Sequence, residues 1–160
     1  MLRFGMAMLA MAAMAGCAQA DGESADPAAP ECDYDCTLDR HLTAIRGGDW
    51  DGFVATITAE PDIQLILPDG TLIEGREAYL ETLEPWLTGG GFTFDTETVD
   101  QRVGSDLGYT LLNVTSRVEA EDRTSTFFLL LTFALEDGEW RLVHDQNTRI
   151  PPAAEAPAGG

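Results

Sequence analysis

After Gly91 the chain offers little except strands, and this constrains its fold more than any other feature. Residues 92–103, 107–119, 124–136 and 139–148 alternate or run apolar, separated by Gly104-Ser105-Asp106, Glu121-Asp122 and Asp137-Gly138. Asp137-Gly138 is a strong two-residue turn signal, because both positions tolerate positive φ. Four long runs joined by short turns predict an antiparallel meander.

Helical spacing is confined to the part before Gly91. Leu38, Leu42 and Ile45 predict a first helix that stops at Gly47-Gly48. Asp49 then offers an N-cap to a second helix striped by Trp50, Phe53, Val54 and Ile57, ending before Pro61. Residues 63–67 read as a brief strand, Asp69-Gly70 as its turn, and Leu72-Ile73 as a second short strand ending at Gly75. From Arg76 a third helix carries Tyr79, Leu80, Leu83 and Leu87, with Trp86 near its end, and Gly89-Gly90-Gly91 terminates it. Helices first and a strongly bent sheet afterwards is an α+β layout, with the three helices packed in a curved antiparallel sheet. Strands this long curl, and a curled sheet with helices in its mouth leaves a conical cavity.

The 160 residues allow one domain with a real core. The balance is acidic, 28 Asp and Glu against 9 basic residues, all of them Arg, so a phosphate backbone is repelled and nucleic acid is excluded as a partner. Residues 1–16 place one Arg before an apolar Met/Ala/Leu run too short to span a bilayer, as an export signal does. Met14-Ala15-Gly16-Cys17 resembles the lipobox of bacterial lipoproteins, which implies acylation of Cys17 and a lipid anchor on the periplasmic side of the cell envelope. The competing reading is cleavage after Ala18-Gln19-Ala20 and release of a soluble protein. Residues 17–35 then form a polar tether, 36–150 the domain and 151–160 a disordered tail.

With Cys17 lipidated, Cys32 and Cys36 remain as an even pair in an oxidising compartment, and a disulfide between them is expected to pin the tether to the first helix. His41 and His144 are the only imidazoles, so no Cys/His set of zinc spacing can be drawn, and neither a metal nor a cofactor is expected.

The element order, together with the segments Gly48 to Phe53, Asp69 to Ala78 and Asp137 to Asp145, resembles the SnoaL-like branch of the nuclear transport factor 2 superfamily. The resemblance covers about residues 36–150. It implies a helix-filled cone, and in enzymes of this shape an Asp or His base inside it with a donor facing a developing enolate. Fold alone does not settle activity. Many relatives carry a tail of the form Trp-x-x-x-His-x-His, where this chain holds Trp140, His144 and Gln146. Gln146 orients a ligand but cannot exchange a proton near neutral pH.

Strict alternation puts Trp140, Leu142, His144, Gln146 and Thr148 on one face of the last strand, passing from apolar to polar, and turns Asp145 to the opposite face in a surface role. On that basis His144 is the candidate base or ligand-orienting donor, with Tyr109 or Gln146 as the stabilising donor beside it; the plainer alternative for His144 is a half-buried strand residue. Gln146, Trp86, Tyr79, Phe53, Phe94, Asn113 and Arg102 are the candidate ligand contacts, with core packing as the competing role of the aromatics. Three functions remain open. The favoured one is a cell-envelope lipoprotein whose cone binds a small, mostly apolar molecule. The second is a ketosteroid-isomerase-like or polyketide-cyclase-like enzyme using His144. The third is a homodimerisation module, with Phe127, Leu129, Leu131 and Phe133 as an apolar patch on the outer sheet face.

Overall fold

A computed structural model describes residues 32–151. The expected export signal, Cys17 and most of the expected tether and tail therefore lie outside the described residues. Helix α1 spans Tyr34–Gly47, and it starts where the Asp33 carboxylate accepts the Cys36 amide at 2.9 Å. Cys32 and Cys36 are joined by a disulfide with Cα atoms 5.4 Å apart, which closes a ring over this first turn. Gly48, at φ 63°, ends the helix and hands the chain to α2 (Trp50–Val54), capped by the Asp49 side chain. Strands β1 (Gln64–Ile66) and β2 (Leu72–Glu74) form a short hairpin, and α3 runs over Arg76–Gly89.

The meander follows as β3 (Phe92–Val103), β4 (Leu107–Val118), β5 (Arg123–Glu136) and β6 (Glu139–Arg149), with a 3-10 turn at Glu119–Glu121 between β4 and β5. All six strands belong to one sheet, ordered β2-β1-β6-β5-β4-β3. Asp137 and Gly138 both take positive φ at the last hairpin, as the primed two-residue turn requires. β1 joins the edge of β6 in parallel, setting Leu65 beside Asp145. The α+β cone expected from the sequence is the fold observed.

Directly opposed residues share a face, so register identifies the concave side. On β5 it carries Leu129, Leu131 and Phe133, all buried, opposite Leu112, Thr110 and Gly108 of β4. Phe127 continues this row into the cavity. The proposed outer patch is therefore corrected: these four residues face inward, because the more apolar of the two alternating sets is the one that meets the helices. The outer face of β5 carries Phe128, Leu130 and Thr132 instead.

One end of the concave face is solid. The Tyr34 ring stands edge-on to Phe133 and Trp140, with centroids 5.5 and 5.3 Å away, and its hydroxyl lies 2.9 Å from Thr110 Oγ1. Gly108 is required here, since a Cβ at that position would lie 2.6 Å from the Tyr34 ring. His41 is fully buried beside Phe53 and Phe133. The Thr56 hydroxyl donates its proton to the Phe53 carbonyl, so His41 Nδ1–H must be the donor in the 2.8 Å contact with Thr56 Oγ1. Nε2 is left without a partner, and burial pushes the imidazole pKa down from 6.5 to about 3.

Candidate functional site

The last strand does not alternate throughout. Phe133 of β5 pairs with Leu142 and Thr132 pairs with His144, so Val143 is an extra residue, a β-bulge. Trp140 and Leu142 face the core before it, and Asp145, Asn147 and Arg149 face inward after it. His144 and Gln146 are turned to the outer face, where Gln146 Nε2 donates to Thr148 Oγ1 at 3.3 Å. The expected placement of both is thereby corrected, and so is the surface role given to Asp145, which is only 7% exposed.

Beyond the bulge the cone opens into a cavity of about 930 Å³. Ile45 and Phe53 of the first two helices form part of its wall, Leu83 and Trp86 of α3 line one side, and Phe94, Phe127 and Leu129 line the sheet side. Asp145 and Asn147 supply polar groups, while Ser116, Arg123, Thr124, Ser125, Thr126 and Arg149 lie along the far strand ends. A mostly apolar chamber with a few convergent polar groups is the usual make-up of a small-molecule site.

Asp145 is the chemical centre of this chamber. Its Oδ2 accepts the Tyr79 hydroxyl at 3.2 Å and its Oδ1 accepts Asn147 Nδ2 at 3.0 Å. Asn147 Nδ2 also reaches the Ile66 carbonyl at 3.4 Å, which ties the group to the β1 edge. Burial raises the Asp145 pKa from 3.8 to about 7, against the opposing pull of the Tyr79 and Asn147 donors. Tyr79 is fully buried, and burial and the neighbouring carboxylate hold its phenol well above 10, so it stays a neutral donor. The Phe53 ring lies parallel to that of Tyr79, with centroids 6.3 Å apart. A carboxyl that titrates near neutrality inside an apolar chamber can take up or release a proton from a bound molecule.

Of the residues singled out from the sequence, Phe53, Trp86 and Phe94 line the chamber and Tyr79 reaches it through Asp145. Trp86 is 40% exposed and stacks on Phe92 at 4.7 Å, standing edge-on to Phe94. Tyr109, Arg102 and Asn113 are corrected to the outer face. Tyr109 opposes Arg102 and Thr132 there and donates to Asp100 Oδ2 at 2.7 Å, and Arg102 pairs with the same carboxylate at 3.7 Å. Asn113 opposes Phe128, and its Oδ1 is buried without a partner. Asp145, Asn147, Arg123 and Arg149 escaped the sequence reading. All three on β6 follow the bulge, which no residue type in Leu142-Val143-His144 specifies.

Comparison with known proteins agrees with this architecture. A family model described as a SnoaL-like domain matches residues 36–150. No curated protein matches the chain. Among solved structures, a calcium/calmodulin-dependent protein kinase type II association domain, provisionally so named, from Thiobacillus denitrificans superposes with a TM-score of 0.67 at 16% identity, covering 79% of this chain and 100% of that one. A protein of the nuclear transport factor 2-like family from Streptomyces avermitilis, provisionally named a dehydratase, gives 0.65 at 12% identity over 72% and 92% of the two chains. A protein from Shewanella frigidimarina, provisionally named a ketosteroid isomerase, gives 0.61 at 14% identity over 70% and 91%. At these identities the likeness is one of fold, and three different names on one fold leave activity to the site itself. The solved structures share the fold, including that of a nuclear transport factor 2-like protein; the family match spans helices, sheet and chamber alike, and the chain belongs to the SnoaL-like domain family.

Proposed function

We propose that the chain binds a small, mostly apolar molecule in the open half of its cone, with a polar group of that molecule set against Asp145. The observation that carries this reading is the buried Asp145 carboxyl, held by Tyr79 and Asn147 at the wall of an otherwise largely apolar chamber. Native mass spectrometry after gentle purification is the direct test. Retained ligand mass that is lost from Asp145→Asn supports it, and a ligand-free spectrum together with no uptake of any apolar probe sinks it.

A second reading is favoured by the same group. With a pKa of about 7, Asp145 is suited to accept a proton from carbon beside a carbonyl, as Tyr79 remains a neutral donor. In this isomerase-like reading Asp145 replaces His144 as the base. Asp145→Asn then abolishes turnover in an isomerase screen, whereas His144→Ala leaves it intact; the reverse result assigns the chemistry to His144.

The setting we propose is the bacterial cell envelope, with Cys17 acylated. The Met14-Ala15-Gly16-Cys17 segment supports it, and the Cys32–Cys36 disulfide fits an oxidising compartment. The intact mass of the membrane fraction, with and without Cys17→Ser, tests it against release after Ala20. Pairing of two copies through the outer sheet face draws support from Phe128, 36% exposed, next to Leu130 and the unpartnered Asn113 Oδ1. Phe128→Glu converts such a dimer to monomers in light scattering, and an unchanged mass removes this face from assembly.

A further inference from the structure

The far rim of the chamber brings cationic side chains to the mouth of an apolar space. A chain of formal net charge −19 places two arginines, Arg123 and Arg149, at the open end of its apolar chamber, together with Ser116 and Ser125, which oppose each other on the inward rows of β4 and β5. Other arginines are committed to the fold: Arg46 donates to the Phe94 carbonyl and Thr96, Arg76 to the Thr58 carbonyl, and Arg141 to the Ala55 carbonyl and Glu139. Arg149 makes no hydrogen bond or ion pair among the described residues, though the Asp69 carboxylate lies near enough to feel its charge. Arg123 pairs with Glu121 at 2.9 Å, but both side chains are more than half exposed, so the pair contributes little and exchanges readily.

We infer that the occupant of the chamber is an amphipathic carboxylate, bound with its apolar body between Trp86, Phe94 and Phe127 and its acid at the rim against Arg149 and Arg123. This rests on the ligand-binding reading above and adds the ligand's class and orientation. Guanidinium groups match a carboxylate in geometry as well as charge, and neighbouring hydroxyls complete the hydrogen bonding. The opposite orientation sets the acid beside the Asp145 carboxyl, where like charges repel. Asp145 and Arg149 are four residues apart on β6, roughly 13 Å along an extended strand, which sets the span between the inner polar contact and the acid.

The test compares decanoate, decanol and decylamine, which share one apolar body, by isothermal titration of the purified chain below the concentrations at which they self-associate. Decanoate binds about tenfold more tightly than decanol, the size expected of a charge-assisted contact. Decylamine gains nothing over decanol, although a strongly acidic protein attracts cations. The double variant Arg123→Gln/Arg149→Gln, with thermal unfolding unchanged, loses the preference for decanoate and keeps its affinity for decanol. Equal binding of decanoate and decanol, stronger binding of decylamine, or a preference that survives the double variant overturns the rim assignment while leaving the pocket reading standing. Absence of binding by all three overturns both.

Discussion

The two halves of the concave sheet face are built from the same four strands and differ in what fills them. In one half Tyr34, Phe133, Trp140 and Leu142 close on each other, and Gly108 surrenders its side chain so that the Tyr34 ring can approach. In the other, Phe94, Phe127 and Leu129 face a chamber instead of a helix core, and the strand ends carry hydroxyls and arginines. The boundary on β6 is the bulge at Val143. Packing stabilises the first half and leaves it chemically silent, while the second gives up contacts in exchange for a site.

Truncating an aromatic on either side of the boundary gives the largest expected difference. Phe133→Ala removes a fully buried ring from the solid half and costs about 3–5 kcal/mol in urea unfolding. Phe127→Ala, at the chamber wall, costs less than half as much, since its neighbours already border open space. Equal losses would show that the chamber is packed shut in solution.

Acid and base divide the halves next. The folded state holds the Asp145 pKa at about 7 against 3.8, so it binds a proton that the unfolded chain has released; the stability this gives is full below about pH 4 and is lost as pH rises through about 7. His41 in the solid half behaves in the opposite sense. Its pKa falls from 6.5 to about 3, so its contribution is full above about pH 6.5 and is lost as pH falls toward 3. Each unit of displacement is worth roughly 1.4 kcal/mol, and between about pH 4 and 6.5 the two slopes offset. Asp145→Asn leaves only acid-side loss, and His41→Gln leaves only loss toward alkaline pH. Parallel pH profiles of the two variants would overturn the pairing.

Smaller effects sharpen the comparison. Trp86→Ala changes stability by about 1 kcal/mol or less because the side chain is 40% exposed, yet it weakens decanol binding several-fold by removing one chamber wall. His144→Ala, on the outer face, leaves decanol affinity within error; a measurable loss would return that residue to the site.

Much of this was legible in the sequence because it depends on local rules. The Asp49 cap, the Asp137-Gly138 turn and the glycines after α1 and α3 set the element boundaries, and the four apolar runs set the meander. Phe53, Trp86 and Phe94 were recognisable as aromatics on elements that converge. Facing was not legible, because alternation yields two sets of residues without saying which is inside, and the Leu/Phe-rich set of β5 could be assigned to either side. For β6 the obstacle was sharper. One unpaired residue changes the side on which every later residue emerges, so the pattern beginning at Trp140 led to His144 when the chamber receives Asp145. The separation of rim arginines from structural ones depends on tertiary partners, such as the Phe94 carbonyl for Arg46, that no local pattern contains.

The disulfide ring has a consequence for how the molecule is presented to its surroundings. The disulfide ties Cys32, just before the cap of α1, to Cys36 on its first turn, where Tyr34 packs at the Phe133–Trp140 end of the sheet and Asp35 accepts a hydrogen bond from Gln101 of the same end. The chamber opens at the other end, beside Arg123 and Arg149. Any surface holding the chain through the residues before Cys32 therefore attaches at the end away from the opening, and the point of attachment leaves the chamber mouth clear for molecules arriving from solution.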